Sequence, residues 1–247
     1  MSPGALSDRI ALVTGASRGI GAAAALALAR AGAHVVAVAR TVGGLEELDD
    51  AIRAAGGSAT LVPLNMTDFA GLARLAGALN ERYGRLDILV GNAGIVGPSS
   101  PLEHIPLKDW EEVMKVNVTA NWQLVCAMDA LLRRSAAGRV VFVTSGAAYN
   151  TRPYRGVYST SKAALEAIAR TYAAETERTA VRVNLINPGP TRTRMRTQVM
   201  PGEDPMTLPP PEAVAEKIIA LCRPEFCETG RLYDFRAGRL MSFRRPE

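Results

Sequence analysis

Tyr158 and Lys162 stand four residues apart in the segment Tyr-Ser-Thr-Ser-Lys-Ala-Ala-Leu-Glu, which reads as a helix start. At that spacing both side chains lie on one helix face. A free phenol has a pKa of about 10, too high to exchange protons readily at neutral pH. A nearby ammonium favours the phenolate and lowers that value, which suits a general acid or base. Taken alone, the pair is an ordinary feature of many helices. Ser145 stands thirteen residues before Tyr158, at the end of the apolar run 140–144. Its hydroxyl could hydrogen-bond a carbonyl that Tyr158 protonates; without those two partners it is a turn serine.

A second constellation lies near the start: Thr14-Gly15-Ala16-Ser17-Arg18-Gly19-Ile20-Gly21. Glycines at fixed offsets follow a buried strand and open a helix. One permits a tight turn, another lets the backbone approach a pyrophosphate, and the third allows close helix–strand packing. The helix N-terminus then offers free N–H groups and a positive dipole end to phosphates. An NAD site usually closes its second strand with an acid for the ribose 2′-hydroxyl. Here that strand ends Val38-Ala39-Arg40. Arg40 can hold a 2′-phosphate in a bidentate fork, and Arg18 can reach the same group from the glycine turn. The pair, with the acid missing, favours NADP(H) over NAD(H).

These groups need a frame. Strands are expected at Ile10–Thr14, His34–Ala39, 60–62, 87–90, 139–144, 181–186 and 232–235. Helices are expected at 19–31, 44–55, 68–83, 107–134 and 158–178. Continuous apolar runs such as IALV, VVAV and VVFV suit strands buried on both faces. The alternation predicts an α/β fold: a doubly wound, Rossmann-type three-layer sandwich with a seven-stranded parallel sheet, one domain over residues 1–247. Right-handed crossovers put all the strand carboxyl ends on one side, where ligands bind. Residues 188–211 are too rich in proline for a long helix. They fall on the ligand side and read as a lid over the substrate; a plain surface connection is the alternative.

Composition narrows the class. The 247 residues are 48% hydrophobic and 21% charged, which excludes general disorder. Three cysteines (Cys126, Cys222, Cys227) form no disulfide framework, and a reducing compartment fits. No membrane span, secretory leader or metal-ligand spacing is visible, so a cytoplasmic location is expected. The net charge is +5, but aromatic residues are only 5% and no basic block or zinc motif suggests nucleic acid as a partner. His34 and His104 stand alone and read as packing or surface residues. Arg192, Arg194 and Arg196, with Arg152 and Arg155, could attract an anionic substrate or could be solvated loop cations.

Taken together, TGASRGIG, LNMTD, GNAG, Asn117, Ser145, Tyr158-x-x-x-Lys162 and Asn187-Pro188-Gly189 resemble the short-chain dehydrogenase/reductase family in its compact single-domain branch. The resemblance runs from about Asp8 to Phe235. The segment after Asn187 is most similar to poorly characterised bacterial oxidoreductases of that family. The resemblance implies an oxidoreductase that moves hydride between NADP(H) and a small carbonyl or alcohol substrate. Tyr158 would be the general acid/base, Lys162 would tune it and hold the nicotinamide ribose, and Ser145 would orient the carbonyl. Asn117 would hold a water of a proton relay, on the resemblance alone. Gly15, Ser17, Arg18, Gly19, Ile20, Gly21 and Arg40 would take the phosphates. Asn65 and Met66 would meet adenine, and Asn92, Ala93 and Gly94 would lie along the cofactor. Pro188, Gly189, Thr191 and Thr193 would touch its nicotinamide end. A homo-oligomer, dimer or tetramer, is also implied. A fold kept for regulation or scaffolding, without turnover, is the alternative. Gly91 stands where the family usually has asparagine, and Leu232-Tyr233-Asp234-Phe235 replaces the usual C-terminal ending.

Overall fold

Every residue of Ile10–Thr14 is buried, as are all but the first of His34–Ala39. Such runs suit central strands covered on both faces. The structure is a computed structural model that describes residues 4–243. Among the described residues, one sheet comprises β1 (Ile10–Thr14), β2 (His34–Ala39), β3 (Ser58–Pro63), β4 (Ile88–Gly91), β5 (Arg139–Val143), β6 (Arg182–Asn187), β7 (Arg231–Asp234) and β8 (Arg239–Ser242). Their spatial order is β3-β2-β1-β4-β5-β6-β7-β8. The first seven are parallel; β8 pairs antiparallel with β7. The doubly wound α/β prediction therefore holds, but the sheet has eight strands instead of seven. The extra strand returns through a tight hairpin. Gly238 takes φ +66° there, and the Asp234 carboxylate accepts from the Ala237 N–H.

The helices are α1 (Gly19–Arg30), α2 (Val42–Ala54), α3 (Phe69–Tyr83), α4 (Leu107–Met114), α5 (Ala120–Arg133), α6 (Gly156–Glu175), α7 (Arg194–Val199) and α8 (Pro211–Cys222). Alternate strand residues enter opposite cores. Ala11 and Val13 pack with Leu28 of α1, Leu45 of α2 and Ile218 of α8. Leu12, Val140 and Phe142 pack with Leu72 of α3, Leu124 of α5 and Leu165 of α6. No described helix is long and apolar enough to cross a membrane. The expected helix 107–134 is α4 and α5 joined by a π-helical turn, Lys115–Thr119, which contains Asn117. α8, which is not among the helices expected, forms from PEAVAEKIIALC. Pro211 occupies its first turn, where a missing N–H leaves no bond unmade.

The order places the switch point between β1 and β4, which diverge to β2 and β5. Gly91 lies beside it, at the end of β4. A Cβ there would stand 2.4 Å from the Phe142 ring of β5, a fully buried side chain. Phe142 thus fills the space that a side chain at 91 would need. Gly91→Asn is expected to destabilise the fold by overpacking, by about 1–3 kcal/mol. Adding Phe142→Val should recover part of that loss. Thermal melting of the single and double variants checks it: a single variant that melts like wild type contradicts the packing account.

Candidate active site

The glycine turn after β1 is fixed by the turn after β4. Thr14 Oγ1 accepts from the backbone N–H groups of Asn92 (3.0 Å) and Ala93 (3.1 Å). Asn92 Nδ2 donates to the Thr14 carbonyl at 2.9 Å and to that of Gly15 at 3.3 Å. Gly15 has φ +65°, and a Cβ on Gly21 would stand 2.2 Å from the Gly15 carbonyl oxygen. Glycine at both places is therefore required by the closeness of turn and helix. Arg18 precedes α1 in extended conformation, and no side chain caps that helix. No acid lies in its first turn, so its N-terminal N–H groups are open to an anion.

A crevice of about 320 Å³ runs from this turn across the strand carboxyl ends. That volume lies within the range of cofactor and small-molecule sites. Its walls include Gly15, Ser17, Arg18, Gly19, Ile20, Arg40, Asn65, Met66, Asn92, Ala93, Gly94, Tyr158, Lys162, Pro188 and Thr193, all singled out from the sequence. They include Arg194 as well, but no Asp or Glu. Among the described residues neither Arg18 nor Arg40 makes an ion pair, and both are exposed. The cradle and the free cations fit a phosphorylated dinucleotide.

The crevice does not take in five of the expected residues. Gly21 acts through packing. Thr191 is buried, with its hydroxyl bonded to the Pro188 carbonyl within the same loop. Gly189 donates its N–H to Asn187 Oδ1. Ser145 follows β5, and its Oγ accepts from the Ala147 N–H at 3.2 Å, capping a short 3-10 turn. Asn117 is fully buried; its Oδ1 accepts from the Ile95 N–H, and Nδ2 donates to the Ile95 carbonyl and to Ser161 Oγ. Both amide hydrogens are engaged, which leaves one Oδ1 lone pair for the water that the resemblance implies.

Tyr158 and Lys162 occupy successive turns of α6, and Lys162 Nζ lies 5.8 Å from the centre of the Tyr158 ring. Nζ donates to the Val143 carbonyl at 2.8 Å, at the end of β5. One residue on, the Thr144 hydroxyl donates to Glu166 Oε1 at 2.8 Å. The expected lowering of the Tyr158 pKa is not found. Burial raises it, against the Ser145 hydroxyl and Arg155. Burial also draws Lys162 down to about 8, opposed by Glu166. Lys162 is buried and Tyr158 is half-buried in the crevice wall, and desolvation is the largest influence on each.

Several wall residues carried no signal of their own in the sequence: Leu64, Ile95, Val96, Val116, Met195 and Gln198. Ile95 and Val96 directly follow the Asn92–Gly94 turn, and that adjacency could have found them. Residues 188–211 fold as α7 and a 3-10 turn, Pro205–Thr207. Thr193 caps α7 by accepting from the Arg196 N–H, and its methyl would lie 3.4 Å from a Cβ on Gly19. Arg196 forms a two-pronged ion pair with Glu203 at 2.5 and 2.7 Å, and Arg155 donates to the Val199 carbonyl.

The family model for short chain dehydrogenases matches residues 9–204. The chain belongs to the short-chain dehydrogenase family. It is 36% identical over 238 residues to the uncharacterized oxidoreductase YciK of Escherichia coli, which covers 95% of this chain and 94% of that protein. A short chain dehydrogenase from Pseudomonas syringae superposes with a TM-score of 0.89 at 40% identity, over 94% of this chain and 97% of that one. Another, from Shigella flexneri and complexed with NADP, gives 0.91 at 35% identity, over 95% and 100%. Short-chain dehydrogenases are oxidoreductases, and the sheet described above has the fold of these relatives.

Lys162 offers a direct check on this geometry. Its pKa in the fold is about 8 against an ordinary 10.5, so the folded chain holds that proton less tightly than the unfolded chain. Between those two values the unfolded state binds more protons, and stability rises with pH. Below about pH 8 the burial penalty is felt in full. Relative to Lys162→Met, wild type should gain stability through this window, by roughly 3 kcal/mol at most. Urea unfolding of both proteins over that range measures it, and a constant difference would contradict a buried amine.

Proposed function

We propose that the protein is an NADP(H)-dependent carbonyl reductase, which also runs as a secondary alcohol dehydrogenase. The observation that carries this reading is a single crevice with Tyr158 and Lys162 in its wall and two unpaired arginines, without any acid, at its other end. The NADP-bound Shigella relative supports the same cofactor. When bound, the reduced nicotinamide supplies the hydride.

The chain's own residues do the rest. Gly15, Ser17, Gly19, Ile20 and the α1 N-terminus receive the pyrophosphate, while Arg18 and Arg40 grip the 2′-phosphate. Asn65 and Met66 flank adenine; Asn92, Ala93 and Gly94 line the cofactor's length. Pro188, Gly189, Thr191 and Thr193 shape the nicotinamide end. Ser145 donates to the substrate carbonyl oxygen and orients it. Tyr158 delivers the proton to that oxygen, or removes it from an alcohol. Lys162 hydrogen-bonds the ribose and, with the Asn117 turn, restores the proton. Burial keeps the phenol protonated at neutral pH, the form that gives its proton in carbonyl reduction.

Residues 1–247 act as one dinucleotide-binding domain with residues 188–211 as its lid; residues 1–3 and 244–247 lie outside the described structure. Of the arginines that could meet an anionic substrate, Arg155 and Arg196 are already engaged, and Arg194 is the one that lines the crevice. Ile95, Val96 and Met195 beside it favour a substrate with an apolar body. Leu107 of α4 and Trp122 of α5, 70% and 50% exposed, support a homo-oligomeric contact.

Two measurements test the reading. With NADPH and a panel of ketones, Tyr158→Phe should lower kcat about 100- to 10,000-fold on any substrate that wild type reduces. Full activity in the variant, or no turnover by wild type across the panel, overturns the mechanism. For the cofactor, Arg18→Ala combined with Arg40→Ala should weaken NADPH binding about tenfold or more and leave NADH within about threefold, because charge-assisted bonds to phosphate are removed. Equal effects on both nucleotides would contradict a 2′-phosphate grip.

A further inference from the structure

Asn187, the last residue of β6, is 5% exposed and uses every hydrogen-bonding position of its amide. Oδ1 accepts from the N–H of Gly146 at 2.9 Å and from the N–H of Gly189 at 3.1 Å. Nδ2 donates to Tyr149 Oη at 2.8 Å and to Asp234 Oδ2 at 2.9 Å. Tyr149 Oη also donates to Asp234 Oδ2, at 3.0 Å, and Asp234 Oδ1 accepts from the Ala237 N–H. Reversing the amide would aim its N–H groups at two other N–H groups and its oxygen at a carboxylate. Its orientation is therefore fixed by chemistry.

The two acceptor bonds join segments that lie 43 residues apart in sequence, 146 and 189. Gly146 follows Ser145. Gly189 follows Pro188 in the crevice wall and adopts φ +63°. We propose that Asn187 is a positioning residue that locks the Ser145 turn and the 188–189 loop at a fixed separation, with Asp234 and Tyr149 as its anchor. Asp234 is the last residue of β7 and pairs with Asn187 in the sheet register, so the anchor comes from the strand next to β6. Although burial opposes its charge, bonds from Ala237, Asn187 and Tyr149 hold the Asp234 carboxyl below the usual range. An ionised anchor strengthens both donor bonds. What Ser145 does in catalysis rests on the proposed function; the clamp itself does not.

The test uses the full chain and begins without substrate. Amide hydrogen exchange at Gly146 and Gly189, followed by NMR, should accelerate about tenfold or more in Asn187→Ala, while protection in β1 and β4 stays within about twofold. Asn187→Asp alone sets a second carboxylate against Asp234 and should also lose protection. Asn187→Asp combined with Asp234→Asn exchanges the partners and restores every bond, so protection should return to within about threefold of wild type. On a ketone that wild type reduces, Asn187→Ala should lower kcat about 10- to 100-fold, with KM and NADPH affinity within about threefold, as expected when a reacting group is misplaced. The swapped pair should recover most of that kcat. Wild-type exchange in Asn187→Ala, an unrescued swap, or unchanged kcat overturns the proposal. If Asn187→Ala fails to fold, the swapped pair decides alone. Loss of turnover in Tyr158→Phe beside wild-type behaviour in Asn187→Ala sinks the clamp and spares the proposed function. A wild type that reduces no ketone sinks the function and leaves the exchange result to judge the clamp.

Discussion

The bond from Lys162 Nζ to the Val143 carbonyl joins helix α6 to the end of strand β5, inside the protein. An amine in that position is desolvated, and a backbone oxygen is a weak substitute for water. The fold accepts this penalty at the place where its two chemical elements meet. Val143 leads through Thr144 to Ser145, and Lys162 follows Tyr158 by one turn. The Thr144–Glu166 bond lies one step along both elements and reinforces the same junction. Any shift of α6 along β5 would displace Tyr158 from Ser145 and break both bonds together.

A second junction does the same work for the opposite end of the crevice. Thr14 and Asn92 tie the turns after β1 and β4 across the switch point, and Gly21 lets α1 approach to van der Waals distance. These are backbone-directed bonds between neighbouring strands, so the cradle inherits the rigidity of the sheet. The π-helical turn at Lys115–Thr119 links the two junctions. It turns Asn117 inward, where its amide holds Ile95 beyond the β4 turn and Ser161 next to Lys162. One crevice wall is thereby continuous from the glycine turn to Tyr158.

The strands that were easiest to read are those buried on both faces. β1 and β2 fall at the residues expected, because continuous apolar runs bounded by polar turns leave little freedom. β3 is longer than its three-residue signal, since Ser58 and Pro63 join it by pairing with β2, Ser58 also through its hydroxyl to His34. β8 is exposed along its length and had no apolar signature to show. The π-turn within 107–134 was invisible because it inserts one residue into an otherwise continuous helix without any glycine or proline to mark it. At the site, the glycine turn was legible from residue type and spacing, whereas Tyr158 and Lys162, an ordinary helix pair by themselves, became legible only with the other motifs of the resemblance. Asn187 was legible only as part of a motif; its four bonds come from the turn after β5, from β7 and from its own loop, which no local pattern brings together. The pKa direction of Tyr158 was misjudged for a related reason: spacing shows who is adjacent, whereas burial decides which charge state is tolerated.

The Lys162 amine is buried beside Tyr158 and loses its proton far more readily than an ordinary lysine. A titration of the lysine ε-carbon resonances by NMR, with Lys162→Met used to assign the signal, reads this directly. A midpoint near pH 8 is the predicted result. A midpoint at pH 10 or above, indistinguishable from the surface lysines, would contradict the burial on which the junction of α6 and β5 depends.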